Sequence, residues 1–482
     1  MLEVVFTSGR IGAGAVKVVA VAENARINSS FLNKEEILVL KKSAQQSDFN
    51  GGFGSFAEAY SKNTKIIAIG LGKKIDVLSL KKAGALLAEK LFHDEVAVYF
   101  AEPLKNCKLT EAEIAKTLAL GLQLGAYRFD KYFTSKKADE YPSLEQVIFK
   151  LKNPDKAREE YKNMAALANA VRYTKDLVNE PANFLTPETF AADILRLKYL
   201  GLEVEVLEDA ALQEKDFSLV RAVAKGSVQA PKVVVIKWKG NPKSDDWDLG
   251  LAGKGVTFDG GGLVLKTFAG LQNMKSDMAG AAVVVATLKA LALQCCHKNI
   301  IGVIALVENM PGGDAMKVGD VYASMSGQTV EIKNTDAEGR LLMADLLWYL
   351  QKEYDVKKII DVTSLGGFHA VLRYKYAALF SNTEVLQKAL IAAGQKTGEN
   401  LWAFPLDIFP DKALASNVAD MVNSLGPSQL GSAVLAIAFL KRFIRKGTRW
   451  AHIEISNMKS DEKGMATGFG VELLNSFINE DL

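Results

Sequence analysis

The segment Asn334-Thr335-Asp336-Ala337-Glu338-Gly339-Arg340 places two carboxylates and a guanidinium within five residues. Upstream, Lys254, Asp259, Lys266 and Asp277 sit in Gly-Lys-Gly-Val-Thr-Phe-Asp-Gly-Gly-Gly and Met-Lys-Ser-Asp-Met contexts. Together these stretches offer four carboxylates and two lysines on short glycine-rich connections. Such a set has enough hard oxygen to hold two divalent metals, with cations left over to stabilise an oxyanion.

Plainer roles compete for each residue taken alone. Thr335-x-x-Glu338 fits a helix capping box, and acids favour a helix N-terminus. Asp259-Gly260 could turn a β-hairpin whose lysines face solvent, and Asp277 could cap the helix that follows. Against this, Glu331-Ile332-Lys333 reads as a strand end, and ligands of open α/β sheets bind at strand-to-helix turns on the carboxyl edge. Gly260 to Gly262 exceed what a turn needs and allow close backbone approach to a ligand. Nucleotide binding is disfavoured, because neither G-x-x-x-x-G-K-[ST] nor a strand-G-x-G-x-x-G-helix unit is present here. Cys295-Cys296-His297 lacks chelate spacing and reads as the end of a core helix. His93, His297, His369 and His452 are too dispersed for a histidine-ligated metal or a serine triad.

The elements that must position these groups follow from periodicity. At 482 residues the chain is expected to form an α/β protein of two domains. An N-terminal α/β domain is expected over 1–150, with strands Val16–Val21, Glu36–Leu40, Lys65–Ile69 and Glu95–Phe100 and helices Leu78–Phe92 and Thr110–Leu124. A linking helix is expected over 151–178. A larger C-terminal domain, 179–482, follows. Within it, Glu203–Leu207, Lys232–Lys237, Leu249–Gly253, Asn299–Val307 and Lys358–Thr363 read as strands. Thr186-Pro187-Glu188 starts a helix, and Ala279–Leu293 and Gly339–Tyr354 read as helices. This alternation predicts a mostly parallel central sheet covered on both faces.

Net charge is +3 with 24% charged residues, which gives little support for nucleic acid as a partner. Cys107, Cys295 and Cys296 form no disulfide framework and fit a reducing compartment. Met1 to Thr7 has no basic flank and reads as a strand, not a signal peptide. Ala279–Leu293 carries Lys289 and reads as too short to span a bilayer. No membrane role and a cytoplasmic location are therefore expected.

At their joint spacing the chemical segments resemble the leucyl aminopeptidases, the cytosol aminopeptidase family of dinuclear metalloexopeptidases. Asn334 to Leu341 matches that family's signature without a mismatch. Lys254 to Asp259, Lys266 and Asp277 stand at the family's spacing, and Val307 to Pro311 and Ser324 to Thr329 also look like family segments. The resemblance covers roughly Asn179 to Leu474. The first ~150 residues are similar to the family's variable, macro-domain-like N-terminal domain.

The resemblance implies that Asp259 and Glu338 bridge two metals, that Asp336 completes one, and that Lys254 and Asp277 complete the other. It implies catalytic roles for Lys266, on the oxyanion, and Arg340, on a bicarbonate that serves as base. Mn²⁺ or Zn²⁺ are the first expectation, and Mg²⁺ or Co²⁺ also suit the donors. Met274, Thr363 and Gly366 would bind the substrate's first side chain, with leucine-like residues as the default. The implied substrate is a peptide with a free N-terminus, and the implied assembly is a homohexamer. The alternatives are a Cys-Gly-type dipeptidase in the same fold and a DNA-binding role of the hexamer. Four segments depart from the family's usual wording: Gly260, Thr267, Thr363-Ser364-Leu365-Gly366, and His452-Ile453-Glu454-Ile455-Ser456-Asn457. None removes a ligand or a catalytic group.

Overall fold

The computed structural model describes residues 2–12, 14–104, 107–407, 411–425 and 432–482. The chain divides into two compact units, Met1–Ala168 and Asn169–Leu482. The division falls inside one continuous helix, Pro154–Asn179, which lies over the stretch read as a linking helix.

The first unit holds strands β1 (Glu3–Thr7), β2 (Val16–Val21), β3 (Phe56–Ser61), β4 (Thr64–Gly70), β5 (Val96–Phe100) and β6 (Gln146–Lys150). They form a sheet in the order β1-β6-β5-β2-β4-β3, parallel except for the β3/β4 pair. Helices Val77–Lys90 and Glu111–Gly125 lie where the apolar periodicity put them. Glu36–Leu40 is not a strand but part of the helix Lys34–Gln46. Asn33 and Glu36 form a reciprocal capping box, each side chain 2.9 Å from the other's backbone nitrogen. That local start signal, with Leu40 and Ala44 buried one turn apart, outweighs the strand-like Ile37-Leu38-Val39-Leu40 run.

The second unit holds β7 (Glu203–Leu207), β8 (Lys232–Lys239), β9 (Leu249–Asp259), β10 (Asn299–Asn309), β11 (Val321–Ala323), β12 (Thr329–Glu331), β13 (Lys358–Thr363), β14 (Ala377–Ser381), β15 (Leu401–Ala403), β16 (Met421–Val422) and β17 (Arg449–Glu454). An eight-stranded sheet runs β15-β14-β17-β13-β9-β10-β8-β7, and β11-β12-β16 form a small separate sheet. The central strands β17, β13, β9 and β10 are mutually parallel. They end at Glu454, Thr363, Asp259 and Asn309, so those polar residues gather at one carboxyl edge.

β9 does not turn back as a hairpin. It runs on to Asp259, paired with β13 as far as Gly253 and with β10 along the stretch that carries Lys254 and Asp259. Its glycines serve close packing. A Cβ on Gly250 would sit 3.3 Å from Leu350, and one on Gly253 would sit 2.8 Å from the Cα of Ala281. Residues of opposite parity face opposite sides of a strand, so the helices Gly339–Glu353 and Ala279–Leu293 cover the two faces of β9. The second of these is apolar on nearly every side, Lys289 apart, as suits a helix enclosed by protein. With the turn before it, it makes a run of 20 residues, Met274–Leu293, of mean hydropathy 1.5. Length alone therefore would allow a membrane crossing, contrary to the sequence expectation. Burial of 89% of that window inside the unit identifies a core helix instead.

A Cβ on Gly280 would run into the Val362 carbonyl and lie 3.0 Å from the Lys254 nitrogen. Gly280→Ala should therefore lower stability by about 1–3 kcal/mol through overpacking, read as a lower urea midpoint. Gly313→Ala, where an added Cβ meets nothing within 4 Å, should leave the midpoint almost unchanged.

Candidate active site

Seven of the residues singled out above line one cavity of about 200 Å³: Lys254, Asp259, Lys266, Asp277, Asp336, Glu338 and Arg340. Lys254, near the middle of β9, sends its Nζ to Asp277 Oδ2 at 2.6 Å, Glu338 Oε1 at 2.8 Å and the Ser364 carbonyl at 3.0 Å. Lys266 pairs with Asp259 Oδ2 at 2.8 Å and with Asp336. Carboxylate oxygens of Asp259, Asp336 and Glu338 all lie within 4.8 Å of one another. Negative charge is thus crowded into a small buried volume.

The electrostatics follow from that crowding. Burial and the Asp259 charge push Glu338 up to about 7, against the pull of Lys254. Burial and Asp259 likewise raise Asp336, opposed by Lys266. Burial alone would raise Asp277, but Lys254 and Lys459 hold its carboxyl well below the usual range. Burial would also lower both lysines. Asp277, Glu338 and Asp259 instead keep Lys254 protonated well above its ordinary value, and Asp259, Glu338 and Asp336 do the same for Lys266. Burial brings Arg340 down to about 10, with Glu338 and Glu454 resisting.

The plainer roles of these acids are not taken up. Glu338 occupies the N-cap position of the helix Gly339–Glu353 but makes no side-chain capping bond. Asp277 precedes the cap residue Met278, and its carboxylate faces Lys254, Ser364 and Lys459. Gly339 is required by Lys254, whose Cε would lie 2.6 Å from any Cβ there. Gly261 is required by its φ of +90°, which lets its N–H donate to Asp259 Oδ1 at 2.9 Å.

Met274 and Gly366 reach the cavity wall. Thr363 does not present its side chain there. It is fully buried, and its hydroxyl donates to Glu454 Oε2 at 2.9 Å and meets His452 Nε2 at 3.2 Å. Thr363 therefore shapes the loop after β13 from behind.

Sequence reasoning missed several supporting residues. Asn309 Nδ2 donates to Asp259 Oδ1 at 2.9 Å and to the Thr335 carbonyl at 3.1 Å, tying the two carboxylate segments together. Asn423, distant in sequence, accepts from Lys333 N at 2.8 Å and donates to the Asn334 carbonyl at 2.7 Å. Its own carbonyl accepts from Arg340 at 2.8 Å. Ser364 Oγ donates to Asp277 Oδ1 at 2.8 Å, and Lys459 Nζ reaches the same oxygen at 3.3 Å. Single amides, hydroxyls and one lysine carry no spacing pattern. Only Asn309, within Val307-Glu308-Asn309-Met310-Pro311, and Ser364, within Thr363-Ser364-Leu365-Gly366, lie in segments that the sequence singles out.

Behind the wall lies a buried charge network. His452 Nδ1 is 2.6 Å from Asp361 Oδ1, and Trp450 Nε1 donates to Asp361 Oδ2 at 2.5 Å. Glu454 accepts the Leu365 N–H at 2.8 Å and the Ser456 N–H at 2.9 Å, fixing two lining loops. Burial works against the imidazolium, but Asp361 and Glu454 hold His452 up to about 9 from an ordinary 6.5. A raised folded-state value means that the stabilisation is complete below about pH 6.5 and is lost as pH rises through about 9, a window of order 3 kcal/mol. Wild type should lose thermal stability across that range. His452→Gln should be less stable at pH 6 and show a flatter pH profile by calorimetry.

A family model described as "Cytosol aminopeptidase family, catalytic domain" matches residues 172–475, and its N-terminal-domain companion matches 18–136. A probable cytosol aminopeptidase of Phytoplasma mali is 38% identical over 457 residues, 91% of each chain. One of Caulobacter vibrioides is 43% identical over 376 residues, 76% of each chain. Among solved structures, the bottromycin maturation enzyme BotP in complex with Mn superposes with a TM-score of 0.86 at 31% identity, covering 97% of this chain and 99% of that one. A mutant of tomato leucine aminopeptidase gives 0.88 at 26% identity, covering 99% and 96%. With both domain models matched in order and the acidic cavity intact, the chain belongs to the cytosol aminopeptidase family and is a peptidase.

Proposed function

We propose that the cavity is a two-metal site that releases N-terminal residues from peptides bearing a free amine. The observation that carries this is the cluster of Asp259, Asp336 and Glu338, with oxygens within 4.8 Å of one another, in one cavity with Lys266 and Arg340. The donors fit hard or borderline divalent ions, with Mn²⁺ and Zn²⁺ first. Asp259 and Glu338 would hold both ions, Asp336 one, and Lys254 with Asp277 the other. Bound divalent metals supply a water deprotonated near neutral pH and polarise the scissile carbonyl.

The chain's own groups do the rest. Lys254 would have to be neutral to serve as a ligand, which nearby dications would favour by opposing its charge. Lys266, partly open to solvent and held between Asp259 and Asp336, donates hydrogen bonds to the oxyanion that develops on the attacked carbonyl. Arg340 would hold a bicarbonate, which supplies the general base that a site without histidine lacks. The peptide's free amine anchors the substrate and places its first carbonyl for attack. For the assembly, the family resemblance supports a homohexamer, which light scattering measures, and a cytosolic place of action.

Asp259→Asn and Glu338→Gln should each abolish turnover and lower the metal content per chain. Lys266→Ala should keep the metals while kcat falls by about 10²-fold or more. Metal analysis beside steady-state kinetics checks both. A peptide acetylated at its N-terminus should be inert while its free-amine twin is cleaved. Chelation should stop that cleavage and added Mn²⁺ or Zn²⁺ restore it. Comparable kcat/KM for the two peptides would overturn the exopeptidase reading.

A further inference from the structure

Lys459 lines the same cavity and has no task in the chemistry above. Its position is built, not incidental. It follows β17 in a tight turn, with its N–H donating to the Ile455 carbonyl at 2.8 Å and its carbonyl accepting from Thr467 at 3.1 Å. A Ser460–Ala466 bridge locks the next residue. The side chain is 9% exposed, and its Nζ reaches Asp277 Oδ1 at 3.3 Å. Ser364, Gly366, Ser456 and Met274 line the cavity with it.

An ammonium has three donors, and a buried one is costly unless they are partnered. Asp277 also accepts from Lys254 and Ser364, so it is shared among several donors. A leucine-like side chain entering here would strip water from Nζ and return no hydrogen bond. A carboxylate would return a charge-assisted one. Geometry selects which part of a peptide arrives. The amine and the scissile carbonyl both belong at the carboxylate cluster, and the first side chain branches from the carbon between them. It must therefore lie beside groups that touch that cluster, as Lys459 does.

We propose that Lys459 reads the side chain of the substrate's N-terminal residue, and that the enzyme prefers acidic first residues, aspartate or glutamate, over leucine-like ones. The proposal rests on the peptidase reading of this cavity and adds its substrate class.

The test compares kcat/KM for Glu-Ala and Leu-Ala dipeptides with the Mn²⁺-loaded full-length enzyme. Wild type should favour Glu-Ala. Lys459→Met should move the ratio toward Leu-Ala by about 10²-fold, the scale for leaving one buried polar group without its partner. Lys459→Arg should keep the acidic preference. Free glutamate should raise the wild-type Tm more than free leucine does, a readout that survives if the methionine variant folds poorly. A wild type that favours Leu-Ala overturns the proposal. So does a Lys459→Met variant that slows both dipeptides by one factor, which would mean that the lysine only holds Asp277. If wild type cleaves no free-amine peptide under any metal, the peptidase reading falls first and this proposal falls with it.

Discussion

The structure turns on one constraint: four carboxylates are taken out of water together, and each must meet a cation. Lys254 answers half of it and Lys266, paired with Asp259 and Asp336, the other half. One nitrogen on β9 engages Asp277 before one helix, Glu338 at the start of another and the Ser364 carbonyl after β13. Buried pairs of this kind contribute little net stability, because desolvation consumes the Coulombic gain. Removing one partner is different, since the remaining charges stay buried without compensation. The cluster therefore specifies an arrangement more than it stabilises one, and the surrounding core must supply the stability.

Much of the catalytic unit can be read as provision for that cluster. Four parallel strands bring Asp259, Asn309, Thr363 and Glu454 to one edge. Glycines on β9 let two helices approach closely, one per face, so that their first turns meet around Lys254. Asn309 and Asn423 then pin the irregular backbone around Asp336 through Lys333, Asn334 and Thr335. Irregular backbone beside buried charge needs such bonds, because unpaired peptide groups there would cost about as much as a lost hydrogen bond.

What the sequence disclosed follows the range of each signal. Helix and strand periods are local, so Val16–Val21, Ala279–Leu293 and Lys358–Thr363 end where expected. The ligand candidates were legible because charged residues among glycines are unusual and their spacing resembles a known pattern. Glu36–Leu40 was misread because its apolar run looks like a strand until the cap at Asn33 is weighed. β9 was cut short at Gly253 because glycines read as loop, whereas here they permit helix contact. Lys459 and Asn423 had no local signature. Their meaning lies in neighbours that the fold brings from far along the chain.

The cavity is not uniform in depth, and this bears on which bond can be cut. Lys254 and Asp277 are almost sealed, with side chains 3% and 4% exposed. Lys266 and Asp336 are more open, at 16% and 29%. Lys459, at 9%, sits toward the sealed side. Under the proposed reading, a peptide approaching from the open side meets Lys266 and Asp336 first and the nearly sealed Lys254 and Asp277 last. On that reading the sealed end is a wall, which admits a chain end and refuses the middle of a chain. The same wall carries the ammonium that the entering side chain must satisfy. Under the proposed reading, one piece of buried structure sets both the position of the cut and the side chain that is welcome there. This is economical, because Asp277 partly pairs the buried ammonium of Lys459 and an entering carboxylate would complete its hydrogen bonds.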